Sequence, residues 1–295
     1  MTDELKRIAD RLDELAGRLE RLLPAGGGEP DWSATAYRWR KHARGGYLEA
    51  IRHPHAIRFS DLKDIDEQKR RLRENTAQFV AARPANNVLL TGARGTGKSS
   101  LVKAALDEFS ARGLRLIEVD KRDLVDLPDI VDLVGERKQR YIVFCDDLSF
   151  EASDAGYKSL KVALDGSIAG SADNVLIYAT SNRRHLMPEF MEENLEAKHV
   201  GGEIHPGETT EEKISLSERF GLWLSFYPFD QDQYLDIADH WVERLGGTAS
   251  EESRKAALLW ALERGFRSGR VAWQFARDYV GRKRGQVPFS GKAKK

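Results

Sequence analysis

Apolar residues in the middle of the chain come in short dense runs: Val88-Leu89-Leu90, Leu114 to Val119, Tyr141 to Cys145 and Val175 to Ala179. Between them lie stretches with helical spacing, from Ser100 to about Arg112, about Asp129 to Lys138 and about Ala155 to Ile168. Near-continuous apolar strands separated by helices predict a parallel sheet covered on both faces, an α/β fold. Leu222 to Phe226 reads as the last strand of a five-stranded sheet, and Tyr227-Pro228 breaks out of it. Three helical patterns follow, about Asp230 to Leu245, Ser250 to Arg267 and Arg270 to Lys283, with glycine-containing breaks between them. They predict a small all-helical domain.

The N-terminal pattern differs. Leu5, Ile8, Leu12, Leu15, Leu19 and Leu22 alternate spacings of three and four, which is a heptad seam; the Gly- and Pro-rich stretch Leu23 to Pro30 then ends the helix as a hinge. Such a seam pairs with a second copy or a partner protein, or packs back on its own domain. Between Tyr37 and Arg58, the basic residues Arg38, Arg40, Lys41, Arg44, Arg52 and Arg58 interleave with Tyr37, Trp39 and Tyr47. Two readings are open: cations and stacking aromatics that suit single-stranded nucleic acid, or aromatics packed on the following domain with the arginines solvated. The second is favoured. A helix is expected from about Asp66 to Ala82. The predicted units are 1–30, 31–58, 59–228, 229–285 and a basic tail, 286–295.

Charge narrows little, because 47 lysines and arginines balance 47 aspartates and glutamates. A single cysteine, Cys145, excludes an intramolecular disulfide framework. No apolar run approaches the roughly 20 residues that span a bilayer, and the first residues are charged. A cytoplasmic protein that does not enter membranes is therefore expected.

The chemistry centres on Gly92-Ala93-Arg94-Gly95-Thr96-Gly97-Lys98-Ser99, the phosphate-binding pattern G-x-x-x-x-G-K-[ST] set between a strand and a helix. The glycines allow a turn whose N–H groups point at phosphate oxygens, and the helix adds the positive end of its dipole. Gly92, Gly95, Thr96, Gly97, Lys98, Ser99 and Ser100 form the expected nucleotide-binding set, with Lys98 on the β- and γ-phosphates and Ser99 on Mg²⁺. The strand Tyr141 to Cys145 runs into Asp146-Asp147. Asp146 is expected in the metal shell and Asp147 beside the attacking water. Asp147 is one methylene shorter than the glutamate usual at such a place, which predicts slow hydrolysis. Asn182 ends the next strand and is a further candidate for the γ-phosphate or the water. Ile57, Phe59 and Ile65, upstream of the loop, are candidates for an adenine pocket.

The order phosphate loop, helix, strand, acidic pair, helix, then a strand ending in Ser181-Asn182 resembles the AAA+ ATPases. The Asp-Asp pair, Ala179-Thr180-Ser181-Asn182 and Ser217-Glu218-Arg219-Phe220-Gly221 are similar to the replication-initiator and helicase-loader branch. Asn86 to Leu90, Cys145 to Phe150 and Ser215 to Leu222 more closely resemble an uncharacterised bacterial AAA+ family, a domain of unknown function. The resemblance, over roughly Phe59 to Arg284, implies ATP or ADP with Mg²⁺ and a helical lid. It also implies an arginine finger, Arg219, reaching a neighbour's γ-phosphate, with Arg183 and Arg184 as rivals, and a sensor arginine, Arg270. A homo-oligomer that hydrolyses ATP to remodel or load a protein or protein–nucleic-acid partner follows from it. The alternative is a slowly hydrolysing switch or scaffold that presents its N-terminal helix. A small-molecule kinase would leave the lid without a purpose, and no Asn-Lys-x-Asp motif supports a GTPase. The acidic stretch from Met191 to Lys213 departs from the pattern and reads as an inserted surface loop.

Overall fold

The computed structural model describes residues 29–42, 45–149, 155–165, 172–182, 198–200, 203–205 and 217–285, together with Arg11. The heptad segment apart from Arg11, most of the acidic insertion, Arg183, Arg184 and the basic tail lie outside the described residues.

Among the described residues, a seven-stranded sheet carries the fold. It is built from β1 (Ala36–His42), β2 (Gly45–Ala50), β3 (Val88–Gly92), β4 (Leu114–Glu118), β5 (Arg140–Cys145) and β6 (Val175–Ser181), and a last strand, β9 (Leu222–Phe226). Between β6 and β9, β7 (Lys198–Val200) and β8 (Glu203–His205) form a separate antiparallel pair within the acidic insertion. The order across the main sheet is β2-β1-β4-β5-β6-β3-β9, and neighbours are parallel except β1 with β2. Side chains alternate between two cores, as strand geometry requires. Ile142 and Phe144 of β5, and Leu176 and Tyr178 of β6, face the core shared with α1 (Asp66–Val80) and α2 (Lys98–Phe109). Tyr141, Val143 and Cys145, with Ile177 and Ala179, face the core shared with α3 (Leu127–Gly135) and α4 (Ala155–Asp165). Burial on both faces is why these strands read as unbroken apolar runs.

The expected five strands are present, and the N-terminal stretch adds two more. The sequence pattern sets residues 31–58 apart as an extension; instead the β1–β2 hairpin pairs with β4 and widens the same sheet. The reason lies in a period of two: Tyr37 and Trp39 point into the α3/α4 core, and Arg38 and Arg40 point away from it. Tyr37 donates to the carbonyls of Asp31 and Ala34, and Trp39 Nε1 donates to Asp126 at 2.9 Å. Arg38 pairs with Glu118, Arg40 with Glu49, and Lys41 with Asp126. Two of the aromatics considered for base stacking are thus buried, and the cations beside them are ion-paired.

After β9, α5 (Gln231–Arg244), α6 (Glu251–Arg264) and α7 (Gly269–Gly285) form the helical unit. Asp230 caps α5 in a box with Gln233, and Ser250 caps α6 in a box with Ser253. Gly265, in the left-handed region at φ 76°, closes α6. Tyr234, Ile237, Val271 and Phe275 are buried in one continuous core with residues of α1 and α2. No described helix is long and apolar enough to cross a membrane.

Candidate nucleotide site

The strand order brings the site together. Because β6 lies between β5 and β3, the carboxyl ends of the three strands stand in a row. Asp146 follows β5, Asn182 follows β6 and the phosphate loop follows β3, so residues far apart in sequence meet along one sheet edge. Gly92 has φ 130°, and a Cβ there would stand 1.9 Å from the Phe226 carbonyl oxygen. Only glycine lets β3 turn there while packed on β9. Gly97, left-handed at φ 97°, precedes α2 and supplies no capping side chain, so the first-turn N–H groups of α2 are donors for an anion.

Around the loop lies a cavity of ≈ 570 Å³. Arg94, Gly95, Thr96, Gly97, Lys98, Ser99 and Ser100 line it, together with Asp146, Asp147, Thr180, Asn182 and Arg270. Lys98 Nζ donates to the carbonyls of Gly92 and Ala93, at 2.8 and 2.7 Å, and to Asn182 Oδ1 at 3.0 Å. Burial pushes its pKa down to about 8, helped by the neighbouring charges of Arg94 and Arg270 and opposed by Asp146 and Asp147. Ser99 Oγ and Thr180 Oγ1 both donate to Asp146 Oδ1, each at 2.6 Å. The Asp147 N–H donates to Thr180 Oγ1 at 2.9 Å, and its carboxylate accepts from Asn182 Nδ2. Asp147 is left-handed, at φ 56°, a conformation that aspartate tolerates better than most side chains.

These groups suit a magnesium nucleotide. Mg²⁺ takes oxygen ligands and keeps several waters, drawing one or two groups from the protein and the rest from phosphates. The convergence of Ser99 and Asp146 offers that pair of oxygens. Among the described residues no cluster of three or more His, Cys, Asp or Glu offers a denser metal cage. Part of the lining is apolar: Ile57, Leu62 and Ile65 come from the segment before α1, and Phe229, Ile237, Trp241 and Trp273 from α5, α7 and the residues just before α5, with His55, Asp61 and Lys63 also lining the cavity. Phe59 packs at the edge of the core and does not line the cavity.

The chain matches the family described as "Protein of unknown function (DUF815)" over residues 32–283. It belongs to that family. Curated relatives of this DUF815 chain include proteasome-activating nucleotidase 2 of Haloferax volcanii, 28% identical over 173 residues, covering 50% of this chain and 42% of the relative. Another is the ATP-dependent zinc metalloprotease FtsH of Burkholderia pseudomallei, 30% identical over 189 residues, covering 55% of this chain and 27% of the relative. The DUF815 chain thus spans less than half the length of these relatives. Among solved structures, a point variant of Thermotoga maritima RuvB superposes with a TM-score of 0.51 at 14% identity, covering 77% of this chain and 66% of that one. That likeness concerns the fold: an α/β core followed by helices.

In this DUF815 member the expected nucleotide-binding set lines the cavity with one exception, Gly92, which makes the turn at the end of β3; of the candidates for an adenine pocket, Ile57 and Ile65 line the cavity and Phe59 does not. Arg219 does not line it. The register pairs Leu222 with Val88 and Phe226 with Gly92, so Arg219, just before β9, lies at the amino edge of the sheet, opposite the phosphate loop of its own chain. Sequence reasoning missed Thr180, Phe229, Trp241 and Trp273. Thr180 sits inside an apolar strand, Phe229 lies just before α5, and Trp241 and Trp273 carry the helical spacing of ordinary core residues.

Proposed function

We propose that this chain is a Mg-ATP-hydrolysing AAA+ ATPase that works as an oligomer to remodel or load a protein or protein–nucleic-acid partner. One observation carries the reading: Lys98, Ser99, Asp146, Asp147, Asn182 and Arg270 converge on a single cavity that is also lined by apolar side chains. In it, Lys98 and the α2 N-terminus hold the phosphates, and Ser99 with Asp146 holds Mg²⁺. Magnesium, when bound, neutralises phosphate charge. Asp147, oriented by Thr180 and Asn182, faces the attacking water, and Arg270 contacts the nucleotide from the lid. Arg219, remote from its own loop, acts on the site of a neighbouring subunit, where a cation supplied in trans stabilises the transferring phosphoryl group. The curated relatives carry nucleotidase and ATP-dependent activities in their names, which is consistent with hydrolysis here.

A second reading is a slow ATP-dependent switch, favoured by the side chain of Asp147, which is short and held by Asn182, with Arg94 3.9 Å away. ATP turnover per chain, measured with Mg²⁺ across a wide range of protein concentration, separates the two. A rate per chain that climbs with concentration supports intersubunit hydrolysis. A low, flat rate with firm ATP binding supports the switch. ATP bound as well by Lys98→Ala as by the parent chain would sink both.

A further inference from the structure

Besides the shared core, two polar contacts tie the helical unit to the segments that line the nucleotide cavity. At the phosphate loop, the Gly269 N–H donates to the Gly95 carbonyl at 2.8 Å. Ser268 packs so closely there that a Cβ on Gly95 would meet it at 2.8 Å. At the segment that carries Ile57, Leu62 and Ile65 the contact is ionic. Asp61 closes a short 3-10 turn, Phe59–Asp61, in the segment that carries Ile57, Leu62 and Ile65, and its side chain is only 1% exposed. One carboxylate oxygen accepts the Arg58 N–H at 2.9 Å. The other binds Arg244 and stands 3.5 Å from His240 Nε2, both on α5.

A buried carboxylate is stable only where its partners are fixed, so Asp61 holds α5 in one position against the segment 57–65. Between its two partners on α5 lies Trp241, which lines the cavity. The Trp241 ring packs edge-on to His240, with centroids 5.3 Å apart, and lies under the Arg244 guanidinium at 5.7 Å. The cluster around Asp61 therefore also fixes Trp241, which lines the cavity together with Ile57 and Ile65. Burial lowers the His240 pKa, assisted by Lys63 and Arg244 and opposed by Asp61, so Arg244 supplies the cluster's permanent positive charge.

We infer that Asp61 is a positioning residue for the nucleotide base: it sets the width of the slot between Ile57/Ile65 and Trp241 and ties the angle of the helical unit to occupancy of that slot. The inference rests on the proposal that a nucleotide fills the cavity. Asp61 touches the base through neither oxygen, since both are engaged by the protein; it acts through α5. Its effect belongs to the base and not to the phosphates, which bind at the phosphate loop.

Binding of ATP and of inorganic tripolyphosphate, each with Mg²⁺, tests this on the full chain in the parent, Asp61→Asn and Lys98→Ala proteins. Asp61→Asn is expected to weaken ATP on the order of tenfold or more and to leave tripolyphosphate affinity unchanged. Lys98→Ala should lose both ligands. Equal loss of ATP and tripolyphosphate in Asp61→Asn, or no loss of either, overturns the positioning role. A parent protein that binds neither overturns the nucleotide reading itself. If Asp61→Asn does not fold, Arg244→Lys at the half-exposed end of the cluster provides the same comparison: a selective loss of ATP supports the inference, and unchanged ATP affinity refutes it.

Discussion

Lys98 shows how burial tunes a cation that we propose binds phosphate. It is 5% exposed, and desolvation brings its proton off near pH 8. Phosphate oxygens favour the ammonium, so its pKa rises when nucleotide binds. The sign follows directly. Below about pH 8 the free protein already carries the charge, and Lys98 adds no pH dependence to affinity. Above it the free protein is increasingly neutral, binding must take up a proton, and affinity falls by up to about tenfold per pH unit until the bound-state pKa is reached. Calorimetric titration of ATP at about pH 9, in two buffers that differ in ionisation enthalpy, should show an uptake approaching one proton per site. Identical enthalpies in the two buffers would contradict it. Cys145, one residue before Asp146, lies outside this chemistry: burial pushes its thiol up to about 12, where no reactive thiolate forms.

The β1–β2 hairpin carries the element-scale lesson. An aromatic side chain alternating with a basic one is the pattern of a nucleic-acid surface and equally that of a half-buried strand. What separates the two is the position of Glu118 and Asp126, far along the chain, which pair with Arg38, Lys41 and the Trp39 indole. Local sequence does not contain that information. Trp39→Ala is accordingly expected to cost about 3–5 kcal/mol of global stability, as for other buried large aromatics, and to shift the unfolding of the whole sheet. Chemical denaturation followed by circular dichroism measures this; an unchanged midpoint would mean that the hairpin folds apart from the rest. The parallel strands were legible for the opposite reason, because burial on both faces leaves a continuous apolar run that no surface pattern imitates. The phosphate loop and the Asp146-Asp147 pair were legible because their geometry is local: glycines at a turn, carboxylates at a strand end. Thr180, Trp241 and Trp273 were not, since their place at the cavity depends on strand order and on how α5 and α7 dock, neither of which leaves a mark within a few residues.

At the scale of the whole molecule, the cavity closes between core and helical unit, while Arg219 stands at the opposite sheet edge. If each site draws its arginine from a neighbour, two inactive chains can repair one another. Lys98→Ala has no nucleotide in its own site but keeps Arg219 to offer; Arg219→Ala binds nucleotide but offers no finger. Mixed in equal amounts and allowed to exchange subunits at random, half the chains carry an intact loop and half of their neighbours carry Arg219. About a quarter of the sites are then complete, and turnover should return to about that fraction of the parent rate, with each variant silent alone. Asp61 adds a second condition: a completed site needs the helical unit held by both polar contacts, so Asp61→Asn introduced into the Arg219→Ala chain should lower the recovered rate at limiting ATP and spare it at saturation. Mixtures that stay silent would show that Arg219 serves its own chain or none, and that assembly contributes to this site by some other contact.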